Sequence, residues 1–125
     1  MNLVKFPKRR PDGSFCVEVT LRHTSGDTAA LASELREWIA TDWTPQNNLW
    51  TRNWSNGSVE ELRYLDEFSA APRLTSCENG ELIIVLDGKP NAGKVWKDWL
   101  VSRMWPDIKK CFPEITDLCS IRDHE

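Results

Sequence analysis

The dipeptide Asn79-Gly80 stands between Leu74-Thr75-Ser76-Cys77-Glu78 and Glu81-Leu82-Ile83-Ile84-Val85-Leu86, and no other stretch limits the fold as tightly. A two-residue Asn-Gly connection closes an antiparallel hairpin, because both of its positions accept the positive φ that such a turn demands. The second strand is apolar on both faces, so it belongs inside a sheet rather than at its edge. Near the start of the chain, Asp12-Gly13 makes a turn, after which Phe15, Val17, Val19 and Leu21 alternate with Cys16, Glu18, Thr20 and Arg22. That period describes a strand with one buried face.

Helices flank these strands. Asp27 is an N-cap, and Leu31, Leu35, Trp38 and Ile39 follow at i, i+4, i+7 and i+8, one apolar face of a helix. It runs to about Trp43, since Pro45 pushes Thr44 out of the helical region. Gly88-Lys89-Pro90 ends the apolar strand, Asn91 caps a second helix, and Val95, Trp96, Trp99, Leu100 and Met104 form its stripe. Pro106 either breaks this helix or opens a further turn carrying Ile108 and Cys111 to Pro113. A short strand at about Ile115 to Ile121 closes the chain.

Residues 49–65 fit two patterns. Asn56-Gly57 can join strands at about 49–55 and 58–65, placing Arg52 opposite Glu61 and Trp50 opposite Arg63. Alternatively, Ser58 and Glu61 form a capping box with Val59, Leu62 and Leu65 lining a short helix; the hairpin is slightly favoured. The chain's 125 residues suit one domain. The expected class is therefore α+β: a single-domain two-layer sandwich, with a mostly antiparallel sheet of five to six strands and two main helices on one face. Residues 1–11 form a basic lead and 120–125 a frayed tail.

The longest apolar run is Leu82 to Leu86, whereas a membrane-spanning helix needs about 20 such residues. The first ten residues place their charges after a very short apolar patch, the reverse of a secretory signal. Cys16, Cys77, Cys111 and Cys119 are then free thiols in a cytoplasmic protein. None of them shares a CxxC or CxxH spacing with another ligand, so no metal site or cofactor is implied. Cys16 and His23 fall on opposite faces of one strand and cannot act together. Gly88-Lys89-Pro90-Asn91-Ala92-Gly93-Lys94 fits GxxxxGK, but Val95 occupies the Ser/Thr position and Pro90 removes a phosphate-binding amide. What survives of that motif is a candidate anion site at Lys89, Gly93 and Lys94.

Charge is segmented along the chain. Residues 1–10 carry four Lys or Arg and no acid, while residues 11–88 carry 5 basic and 13 acidic residues, a net −8. Residues 89–110 return to net +4, and 111–125 to net −3. An acidic body argues against nucleic acid as the principal ligand and favours a basic protein partner.

Tryptophan is the compositional outlier, 7 of 125 residues. Trp38, Trp96 and Trp99 lie on helix stripes, and Trp105 packs at the Pro106 break. Trp43, Trp50 and Trp54 lie in or beside the Asn-rich stretch 44–58, where only Leu49 offers aliphatic company. Either they present a recognition surface or the stretch folds back and its indoles close the open face of the sheet. No catalytic set is assembled. The expected function is a non-enzymatic binding protein of the small inhibitor or immunity type, with Trp50 and Trp54 as anchors beside Trp43 and with Glu60, Glu61, Asp66 and Glu67 steering the partner. The alternative is a small-ligand-binding protein or small enzyme with an aromatic-lined pocket between the sheet and the 44–57 loop, contacts coming from Asn47, Asn48 or Glu61.

Overall fold

A left-handed glycine fixes the register of the expected hairpin: Gly80 has φ +81° and Glu78 lies opposite Glu81. The computed structural model describes residues 2–3, 7–40, 50–53, 59–62, 72–78, 80–90, 97 and 100–124. In chain order the elements are β1 (Asn2–Leu3), β2 (Phe15–His23), α1 (Thr28–Ala40), β3 (Trp50–Asn53), β4 (Val59–Leu62), β5 (Arg73–Glu78) and β6 (Glu81–Gly88). A π-helical turn at Leu100–Met104 then runs into α2 (Trp105–Cys111), and β7 (Ile115–Asp123) follows.

The class is α+β. The main sheet has the order β1-β7-β2-β6-β5. Its four long strands are antiparallel, and the two-residue β1 pairs parallel with β7 through Asn2↔Ser120 and Leu3↔Ile121. The expected count of five to six strands included the 49–65 hairpin, but β3 and β4 pair with each other in a separate two-stranded ribbon. Hairpin rather than helix is therefore what residues 59–62 adopt, in a register one residue away from the expected one. Arg52 faces Glu60, and Trp50 faces Leu62. Asn53 stands opposite Val59, and the expected Asn56-Gly57 turn lies outside the described residues.

The core lies on one face of the main sheet. Phe15, Val17, Val19 and Leu21 of β2, Leu82, Ile84 and Leu86 of β6, and Ile115, Leu118 and Ile121 of β7 join Leu31, Leu35 and Ile39 of α1. Leu100, Met104 and Ile108 complete the same cluster. Helix α1 starts as its sequence requires: Asp27 Oδ1 accepts from the Ala30 amide at 3.0 Å, closing one of the open donors of the first turn. Trp38 is half-buried rather than fully enclosed, and its ring meets Phe112 edge-on at 6.1 Å, tying α1 to the end of α2. The wide π-helical turn sits immediately before Pro106, whose missing N–H interrupts the ordinary α-helical ladder. Trp105 is half-buried against the core there. Trp96 and Trp99 lie outside the described residues.

Two expectations need correction. Strand β2 has two buried faces at its centre, not one: Cys16 is 5% and Thr20 4% exposed on the side away from the helices, where Val85 of β6 is 0% exposed. A strand with hydrogen-bonded neighbours on both sides is internal, and its second face is covered as well. Residues 120–124 are not frayed, because β7 continues to Asp123 and the His124 amide donates to the Cys16 carbonyl at 2.9 Å. Within the basic lead, β1 extends the sheet, and residues 10–14 fold into a tight turn. In that turn the Gly13 amide donates to the Arg10 carbonyl and the Arg10 amide to the Ser14 carbonyl, both at 2.8 Å. With Gly13 at φ +88°, this is a tight turn closed by a left-handed glycine.

Candidate functional site

The ribbon register sorts the residues expected to dock a partner. Directly opposed residues of an antiparallel pair share a face, and successive residues alternate. Positions 50, 52, 60 and 62 therefore share one face, and positions 51, 53, 59 and 61 the other. Trp50 and Glu60 are brought onto a common face, while Glu61 belongs to the opposite one. Trp43, Trp54, Asp66 and Glu67 lie outside the described residues, as do Asn47, Asn48 and the 44–49 and 54–57 parts of the loop over which a ligand pocket is expected. Of the candidate anion site, Lys89 is half-buried beyond the end of β6, and Gly93 and Lys94 lie outside the described residues.

Cysteine and histidine chemistry is set by burial. Cys16 lies on the face of β2 away from the helices and His23 at the other end of the strand on the core face, roughly 23 Å away at strand rise. Burial, with the Asp87 carboxylate beside it, pushes the Cys16 thiol up to about 11, so the nucleophilic thiolate is scarce near neutrality. Asp87 is itself held in an ion pair with Arg73. His23, 4% exposed, accepts at Nδ1 from the Ser25 amide at 3.1 Å. The ring proton then lies on Nε2, 3.4 Å from Thr28 Oγ1. His23 is thus a satisfied core residue that pins the β2–α1 connection. Among the described residues, no group of three or more His, Cys, Asp or Glu side chains is placed to hold a metal ion, and no helix is long and apolar enough to cross a membrane.

One cavity is built from residues that the sequence presents only as a basic lead. A space of about 400 Å³ opens between Lys8–Pro11 on one side and Cys16, Asp123 and His124 on the other. Its frame is specific. Arg9 Nη1 donates to the Gly13 carbonyl at 2.7 Å and to the Pro90 carbonyl at 3.1 Å, while its guanidinium lies 5.0 Å over the Phe15 ring. Phe15 can lie there because its cross-strand partner is Gly88: a Cβ at Gly88 would come within 2.1 Å of the ring. The Lys8 amide donates to Asp123 Oδ1 at 2.8 Å. Behind the lining residue His124, the Glu18 carboxylate meets Arg122 and His124 Nδ1, each at 3.1 Å. Beside the cavity, the Ser14 hydroxyl and then its amide hold the Asp12 carboxyl below its ordinary value and stiffen the turn.

The signal for this cavity was present in Pro11-Asp12-Gly13, a turn sequence that folds the lead back. What the sequence did not carry was the meeting of the lead with the far end of β7, more than a hundred residues away. Comparison of the chain with protein-family models, with curated proteins and with solved structures finds no match.

Proposed function

We propose that this is a non-enzymatic binding protein that docks a basic protein through an acidic, tryptophan-bearing surface, in the manner of a small inhibitor or immunity protein. The observation that carries the reading is the register of the β3-β4 ribbon, which puts Trp50 and Glu60 on one face within a segment of net charge −8. A tryptophan and a glutamate at positions on one face of the ribbon suit such a partner: an indole anchors once desolvated, and a carboxylate charge steers the encounter. Among the described residues, the ribbon pairs with no strand of the main sheet, which leaves its outer edges free of that sheet's ladder. Cys16, Cys111 and Cys119 are free thiols, in keeping with a cytoplasmic setting.

Affinity capture on the immobilised full chain, followed by titration of the purified captured protein, tests this reading. The expected partner has a strongly basic pI and binds Trp50→Ala at least tenfold more weakly than wild type, a loss of about 1.4 kcal/mol. An acidic partner, or one that binds Trp50→Ala as it binds wild type, overturns it.

A further inference from the structure

We propose that the cavity between the Lys8–Pro11 lead and the ends of β2 and β7 binds a small phosphate-bearing molecule, of about the size of a nucleoside monophosphate. Its volume, about 400 Å³, lies within the range of small-ligand pockets. Three cations, Lys8, Arg9 and Arg10, and one carboxylate, Asp123, line it, a balance of +2. A phosphomonoester carries a charge of about −1.5 to −2 at neutral pH, so the ligand's charge matches that of the walls, whereas a monocarboxylate would leave a cation uncompensated.

The cations divide the work. Arg9 belongs to the frame, its guanidinium committed to two carbonyls and the Phe15 face. Lys8 binds Asp123 through its backbone amide and not through its ammonium, and among the described residues the Arg10 guanidinium makes one long hydrogen bond, 3.4 Å, to Ser14 Oγ. These two side chains are the ligand donors. Their backbone is already fixed by the Arg10–Ser14 turn and the Lys8–Asp123 bond, so little chain ordering accompanies binding. Pro11 and the protonated Cys16 thiol add apolar surface, against which the organic part of the molecule rests. His124 is held by Glu18 and lines the wall rather than leading recognition. Nothing here depends on the ribbon, so this site stands or falls separately from the docking reading.

Isothermal titration of the full chain with AMP at low salt provides the test, with inorganic phosphate and adenosine as reference probes. The expected result is AMP binding with a Kd below about 1 mM, weaker binding of inorganic phosphate, and none of adenosine. Lys8→Gln with Arg10→Gln weakens AMP at least tenfold. Asp123→Asn keeps an oxygen for the Lys8 amide but removes the negative charge, and tightens AMP severalfold, an outcome a misfolded variant cannot produce. Trp50→Ala leaves AMP binding unchanged. Absence of AMP binding, equal binding of adenosine, undiminished binding by the double variant, or binding confined to RNA oligomers would each overturn the proposal.

Discussion

At the scale of single residues, the covered second face of the sheet makes the sharpest demands. Thr20 is 4% exposed and, among the described residues, its Oγ1 has no hydrogen-bond partner, so folding takes a hydroxyl out of water without a bond from those residues to offset it. Thr20→Val keeps the shape and removes that penalty. It should stabilise the protein by about 1 kcal/mol, a rise of about 4 °C in Tm; a lower Tm would mean the hydroxyl is satisfied. Cys16 is held in the opposite sense, as a thiol. With its value near 11, roughly one molecule in a thousand carries the thiolate at pH 8. Iodoacetamide should therefore label the exposed Cys111 in the native protein and spare Cys16 until unfolding, as peptide mass spectrometry would read. Because the folded thiol's value lies above the unfolded one, its contribution to stability is complete below about pH 9 and is lost as pH rises through 11. Stability measured by urea unfolding should fall across that window, and Cys16→Ala should flatten the fall.

At the scale of elements, Phe15 and Gly88 form the contact on which the basic lead rests. Gly88→Ala would place a methyl group within the Phe15 ring, and overpacking of this kind costs about 1–3 kcal/mol. Combining it with Phe15→Leu should recover part of the loss, and a double-mutant cycle on Tm measures the coupling. Additive effects would show that the ring does not lie over the glycine. These elements also show what could be read beforehand. Asn79-Gly80 and the Asp27 cap were legible because each carries its own local geometry. The ribbon was legible as a hairpin but not in register, because Asn56-Gly57 predicts a two-residue turn with Arg52 opposite Glu61, whereas Arg52 pairs with Glu60. Strand β7 looked short because its buried residues Ile115, Leu118 and Ile121 recur every third position. The alternation is broken where its pairing with β2 shifts, between Thr20 and Leu21 and between Arg22 and His23, and such irregularities leave no local mark.

At the scale of the whole molecule, charge segmentation becomes spatial. The lead's Arg9 hydrogen-bonds to the Pro90 carbonyl, next to Lys89, so the start of the second basic segment meets the first at one end of the sheet. The count of charges was plain in the sequence; which charges meet was not, since that depends on contacts between residues about eighty positions apart. The tryptophan excess is likewise only partly explained by helix packing, as Trp38 and Trp105 remain half-buried.

The most direct test of the docking claim is the association rate of the purified partner, followed by stopped-flow tryptophan fluorescence across a salt series, for wild type and Glu60→Lys. Steering by an acidic face predicts a rate that falls steeply with ionic strength and a several-fold slower association at low salt for Glu60→Lys, converging with wild type at high salt. A rate indifferent to salt, or one that Glu60→Lys leaves unchanged, would contradict it.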